Sequence, residues 1–148
     1  TIGICLKNLK LKIIWRQIEW RMQMKIAMPI NERDLNSNIC PSFGRAPYFL
    51  IHKTDTEETY YLDNSVAAAS QGGAGIRSAQ MLVDHGVEAL LTQRCGENAE
   101  EVLQKSEVQI FESIPGTAQQ NIDAFVSNKL VFLNDFHPGL HSHGKQKF

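Results

Sequence analysis

From residue 24 onward, apolar positions fall in short blocks separated by polar links that carry glycine or proline. Lys25-Ile26-Ala27-Met28-Pro29 reads as a short strand stopped by its proline. Residues 31–46 form a long polar loop rich in Asn, Pro and Gly, and loops of that length often carry function. Tyr48-Phe49-Leu50-Ile51-His52 and Thr59-Tyr60-Tyr61-Leu62 read as two further strands, joined through Asp55-Thr56-Glu57-Glu58 into a hairpin. Beyond a loop at 63–73, Ile76, Ala79, Leu82 and Val83 recur at helical spacing and predict a helix over 74–85, ended by Gly86. Glu88-Ala89-Leu90-Leu91-Thr92 is a buried strand. Residues 97–105 form a second helix, acidic at its start and ending in Lys105, as the helix dipole prefers. Val108-Gln109-Ile110-Phe111 is a fifth strand. Thr117 and Gln120 make a capping box for a last helix with Ala118, Ile122, Phe125 and Val126 on one face. The chain from about 131 is loop-like.

The predicted order is β-β-β-α-β-α-β-α, an α/β domain with a mixed five-stranded sheet and an antiparallel hairpin beside parallel crossovers. That order has a consequence for the loops. The 31–46 loop enters the second strand at the sheet edge where the 63–73 loop leaves the third. A fourth strand parallel to the third would send the loop after Thr92 out at the same edge. Three loops then meet at the carboxyl ends of parallel strands, where open α/β sheets bind ligands.

Those three loops hold the chain's candidate chemistry. Cys40 lies in Cys40-Pro41-Ser42-Phe43-Gly44-Arg45, and Cys95 lies between Arg94 and Gly96 just ahead of a helix start. A cationic neighbour and a helix N-terminus both favour the thiolate, the form that binds soft metals or attacks electrophiles. Between them, Gly72-Gly73-Ala74-Gly75 opens a helix and offers bare backbone N–H groups to an anion. That run has neither GxGxxG spacing nor a P-loop lysine, so a nucleotide reading fails on pattern. Cys40, Cys95 and the glycine run also have plainer readings as buried thiols and a tight turn. A metal-dependent nuclease needs carboxylates that converge, and Asp84 sits at the far end of its helix from Asp34 and Asp63. His137, His141 and His143 look like a separate metal-binding cluster or a solvated tail.

Composition narrows the classes. At 148 residues and 43% hydrophobic content, the chain suits one compact domain with appendages. Three cysteines in mixed contexts read as reduced thiols of a cytoplasmic protein, and Cys5 receives no role. Residues 1–23 carry +4 and the remainder −5. An acidic main domain argues against nucleic-acid binding, which draws on phosphate neutralisation by Lys and Arg. Charges interrupt residues 1–23 too often for a transmembrane helix or signal peptide. They read as an extension from an upstream start, with a basic amphipathic membrane or partner helix as the alternative. This divides the chain into 1–23 as an extension outside the fold, 24–130 as the working domain and 131–148 as a histidine-containing tail.

Met24 to Pro29, the block from Cys40 to Phe49, Asp63-Asn64, the stretch from Ser70 to Ile76 and Cys95-Gly96-Glu97-Asn98-Ala99 fall in an order that resembles the dinitrogenase iron–molybdenum cofactor biosynthesis family, of the NifX and NifB C-terminal type. The resemblance spans about 110 residues. It implies a ribonuclease-H-like three-layer α/β fold without nuclease activity, and binding or carriage of iron–sulfur or iron–molybdenum–sulfur clusters. The expectation is a cytoplasmic metallocluster carrier and not an enzyme. Its metal ligands are Cys40 and Cys95, with His137, His141 and His143 as a second set. Arg45, Arg94 and the backbone of Gly72, Gly73, Ala74 and Gly75 offset the cluster's negative charge. Expected partners are cofactor donor or recipient proteins and a second copy of the chain, with no nucleic acid and no membrane. The rivals are an enzyme using Cys95 as nucleophile and a plain interaction module.

Overall fold

The computed structural model describes residues 23–133, together with the backbone of residues 136–137. The expectations placed on residues 1–22, and on Cys5, His141 and His143, lie outside the described residues. The strands are β1 (Lys25–Ile30), β2 (Tyr48–Lys53), β3 (Thr59–Asp63), β4 (Ala89–Thr92), β5 (Cys95–Gly96), β6 (Gln109–Glu112) and β7 (Phe136–His137). The helices are α1 (Ser65–Ala68), α2 (Ala74–Asp84), α3 (Glu97–Lys105) and α4 (Ala118–Val126).

Five strands form one sheet in the order β3-β2-β1-β4-β6, while β5 and β7 make a separate two-stranded pair. β1 and β2 pair antiparallel, as do β2 and β3, whereas β1–β4 and β4–β6 are parallel. β3 and β6 stand at opposite edges and do not pair with each other, so the sheet stays open. This corrects the ribonuclease-H-like expectation: the sheet is open and uncurled in this strand order, and the element string is longer than the eight predicted. The additions are α1 and the β5–β7 pair, elements of two to four residues that carry no hydrophobic period to read.

Alternation along the strands divides the core between the two faces. Ile26, Met28, Leu50, Leu91 and Phe111 pack with Ile122 and Phe125 of α4. Ala27, Phe49, Ile51, Leu90 and Ile110 pack with Ala79 and Leu82 of α2 and Ala99 and Leu103 of α3. The Thr117 cap holds α4 as the sequence predicts: its hydroxyl accepts from the Gln120 N–H at 3.2 Å, and the Gln120 side chain accepts from the Thr117 N–H at 2.9 Å. Two predicted helix faces are narrower than expected, because Ile76 and Val126 are exposed.

Pro29 does not stop β1. The strand continues to Ile30, with Pro29 opposite Phe49. The parallel ladder to β4 is confined to Ile26 and Ala27, so the absent N–H falls where β1 has run past that neighbour. Among the described residues, no helix is long and apolar enough to cross a membrane.

Candidate functional site

Strand directions place the 31–47, 64–73 and 93–96 segments at one sheet edge, the carboxyl ends of β1, β3 and β4. The first of these crosses from one face of the sheet to the other. Ile39 bridges Ile30 and joins the α4-side core, while Phe43 joins the α2–α3 side, 5.2 Å from the Phe49 ring. Cys40 lies on that crossing. Its N–H bonds to the Pro29 carbonyl at 2.8 Å, and its thiol donates to the Ser42 carbonyl at 3.5 Å. The residue is 8% exposed, a thiol just beneath the rim.

The Cys40 loop is clamped onto the start of α2. A methyl group built on Gly44 would lie 2.8 Å from the Gly75 nitrogen and 3.0 Å from its Cα, so backbone meets backbone there. Asn64, fully buried, donates from Nδ2 to the Ala46 carbonyl at 2.9 Å and to the Ser78 hydroxyl at 3.0 Å. Ser78 also reaches the Gly44 carbonyl at 3.4 Å. This small network ties β3, α2 and the Cys40 loop into one unit. Sequence reading missed Gly44, Asn64 and Ser78 as positioning residues. A polar Ser78 beside Ala79 and Leu82 on the buried side of a helix was the available signal.

The glycine run meets its conformational expectation at two positions. Gly72 and Gly73 have φ of 90° and 75°, a left-handed backbone that side chains disfavour. A methyl group on either would meet nothing within 4 Å, so their role is to bend the chain and leave the entrance open. Gly73 is the N-cap of α2, and no side chain caps that helix. The first N–H groups of α2 thus lack a side-chain cap, with open space at the Gly72–Gly73 turn and the Gly44 backbone packed against Gly75. Gly75 serves packing: a methyl group there would touch the Ala99 side chain of α3 at 3.5 Å.

Arg45 is already engaged. Its Nη1 donates to the Ala68 carbonyl at 2.6 Å and the Ser70 carbonyl at 2.8 Å, closing the end of α1 and the start of the glycine loop. The residue remains exposed beside the loop. Arg94 is exposed as well.

Cys95 differs from the sequence expectation. It is 0% exposed and sits in the α2–α3 core cluster with Phe43, Ala99 and Leu103. Burial, and secondarily the Glu100 carboxylate, push its thiol up to about 12. The arginine and helix-terminus argument fails because desolvation outweighs both, and because the first turn of α3 carries Glu97 and Glu100. The backbone of His137 pairs with Gly96, and that of Phe136 with Cys95. The structure thus brings one of the predicted histidine positions to the Cys95 loop.

Among the described residues, no three of His, Cys, Asp and Glu converge as a chelating group for a metal ion. Asp63 is occupied, accepting from the Ser65 N–H at 2.8 Å. A groove of about 630 Å³ lies between the end of α3 and the start of β6, lined by Gln104, Glu107, Val108, Ile110 and Phe132, at the sheet end opposite these loops.

The fold is thus an open α/β domain with a thiol loop and an uncapped glycine turn at the carboxyl ends of its strands. The chain belongs to the dinitrogenase iron-molybdenum cofactor family, whose model matches residues 24–128. It is 28% identical over 109 residues to an uncharacterized protein of Methanocaldococcus jannaschii, covering 72% of this chain and 89% of that protein. The apo form of the orange protein from Desulfovibrio gigas superimposes with a TM-score of 0.72 at 28% identity, over 75% of this chain and 93% of that one. A candidate NifB protein from Thermotoga superimposes with a TM-score of 0.69 at 34% identity, over 77% and 97%.

Proposed function

We propose that this protein binds or carries an iron–sulfur or iron–molybdenum–sulfur cluster, or its precursor, during metallocofactor assembly, and that it is a carrier and not an enzyme. The observation that carries this reading is the Cys40 loop clamped against the uncapped N-terminus of α2, beside the open Gly72–Gly73 turn. A soft thiol and a bank of N–H groups at one edge suit a sulfur-bridged anion. With no chelating trio among the described residues, the donor set fits a clasped anionic cargo better than a bare cation.

Cys40 is the readier ligand, because Cys95 must lose both its cover and its proton first. The same fact argues against the nucleophile reading, because burial pushes the thiol up to about 12 and favours its protonated form at neutral pH. Arg45 and Arg94 supply positive charge around the edge. Val66, 77% exposed on α1, and Ile76, exposed on α2, flank the glycine turn and offer a face for a cofactor donor or recipient.

Gly73→Val tests the backbone cradle. Valine at this left-handed N-cap strains the turn, although its β-carbon meets no neighbour within 4 Å. The variant should retain a cooperative melt yet lose most of the iron and sulfide that wild type retains after anaerobic reconstitution. Wild-type loading in the folded variant would show that the glycines serve the turn alone.

A further inference from the structure

The β6 side of the sheet carries one more short piece of chain. After α4 the backbone turns at Asn128, whose φ is 62°, and residues 131–133 run antiparallel along the free side of β6. The Glu112 N–H donates to the Val131 carbonyl at 2.8 Å, and the Leu133 N–H donates to the Ile110 carbonyl at 3.0 Å. These two bonds bracket the Phe111–Phe132 pair. In an antiparallel ladder, a residue bracketed in this way turns its own N–H and C=O to the opposite side. Phe132 therefore presents a donor and an acceptor outward, and neither meets a partner among the described residues.

The side chains at this edge are apolar. Val131 is 63% exposed and Phe132 53%, and the exposed Val126 and Ile114 lie at the nearby ends of α4 and β6. The stack of Phe132 on Phe111 at 4.7 Å fixes its ring as a surface. No charge interrupts the run from Leu130 to Leu133. The opposite edge is guarded: β3 follows Glu57 and Glu58 and ends on Asp63, charges that discourage pairing with another strand.

An outward donor and acceptor on one residue are self-complementary. A second copy brought up antiparallel, about a two-fold axis at Phe132, exchanges both bonds with the first and covers the apolar side chains. The same axis gives a charge match. It carries Lys129 of each copy past Leu133 of the other, toward the groove between the end of α3 and the start of β6. Glu107 and Gln109 line that groove, no basic side chain does so among the described residues, and the Gln109 Oε1 is buried without a hydrogen-bond partner. The exposed Lys129 supplies the cation that the groove lacks.

We infer that this edge is where two copies of the chain join, through antiparallel pairing of residues 131–133 that makes one continuous sheet of the two domains. The surface is a lateral edge of the sheet, distinct from the three loops at the carboxyl ends, and it does not depend on the cargo reading.

Sedimentation velocity of the full chain over a wide concentration range reads the association directly. Wild type should form a concentration-dependent dimer. The Phe132 amide should gain protection from hydrogen exchange as the dimer fills, while the amides of β1 and β4 stay as they are. Phe132→Glu sets two like charges face to face across the axis, and should weaken the dimer about a hundredfold or more while keeping a cooperative melt. Lys129→Glu and Glu107→Lys should each weaken it, and the double swap should restore it. A wild type that stays monomeric at every concentration would overturn the inference, as would a folded Phe132→Glu protein that dimerises as tightly as wild type. Charge reversals without rescue would overturn this pairing too. Should Phe132→Glu fail to fold, the charge swap and the Phe132 amide decide between the same outcomes.

Discussion

Gly44→Ala isolates the contact on which the site depends. Its added methyl group would sit 2.8 Å from the Gly75 nitrogen, 3.0 Å from the Gly75 Cα and 3.2 Å from the Ala74 carbonyl carbon. All three are backbone atoms, so no side chain can rotate away. Relief requires the Cys40 loop to slide off α2, against the Ser78 bond to the Gly44 carbonyl and the Asn64 bond to the Ala46 carbonyl. Overpacking of this kind costs about 1–3 kcal/mol. For a domain of this size that corresponds to a fall in Tm of roughly 4–12 °C. Thermal and urea melts followed by circular dichroism would read it, with an unchanged urea slope confirming that the denatured state is unaffected. Gly73 provides the contrast, since its constraint is conformational and its surroundings are open. Gly73→Asn should therefore be tolerated, because Asn accepts the left-handed region, whereas Gly44→Asn should be worse than Gly44→Ala. A Gly44→Ala protein as stable as wild type, or the reverse order for the two asparagine variants, would refute the close-contact reasoning.

Two further outcomes follow from buried polar groups. Asn64→Ala leaves the Ala46 carbonyl and the Ser78 hydroxyl short of a partner in a fully buried site, and should cost about 2–4 kcal/mol by urea melt, counting an unsatisfied group at 1–3 kcal/mol and the small cavity beside it. His52 is buried on β2, shares a 2.9 Å hydrogen bond with Thr59, and has its pKa lowered from 6.5 by burial, partly opposed by Glu57 and Asp123. The unfolded chain then binds the proton more readily than the folded one, so stability is fully present above pH 6.5 and declines as pH falls below it toward the folded pKa. His52→Gln should flatten that part of the pH–stability curve. An identical slope in the variant would place the titrating group elsewhere.

Much of the fold was legible because its long elements carry a clean period. The helix bounds at Ala74 and Glu97 and the Thr117 capping box agree with the structure, since each has a start signal and an apolar stripe. The convergence of three loops at one edge followed from chain order alone. Other features were out of reach of local pattern. Pro29 looked like a stop because a sequence does not show how far a neighbouring parallel ladder extends. The β5–β7 pair joins residues some forty positions apart with only two residues per strand, so it leaves no periodic trace. The favoured thiolate expected of Cys95 was out of reach as well, because its pKa follows the packing of Phe43, Ala99 and Leu103 around it, which flanking residues do not reveal. The glycines of one short run also split into two jobs, an open turn at Gly72 and Gly73 and close helix packing at Gly75.

The central claim is that the edge formed by the Cys40 loop, the glycine turn and the Cys95 loop holds a metal–sulfur cargo. Anaerobic reconstitution with iron and sulfide, followed by metal analysis and visible absorption, tests it most directly when run on wild type beside the Cys40→Ser, Cys95→Ser double variant. Wild type should retain iron and sulfide with charge-transfer absorption in the visible, and the folded double variant should retain neither, because serine is a poor ligand for soft iron–sulfur species. Equal metal content in the two proteins, or none in wild type, would contradict the account.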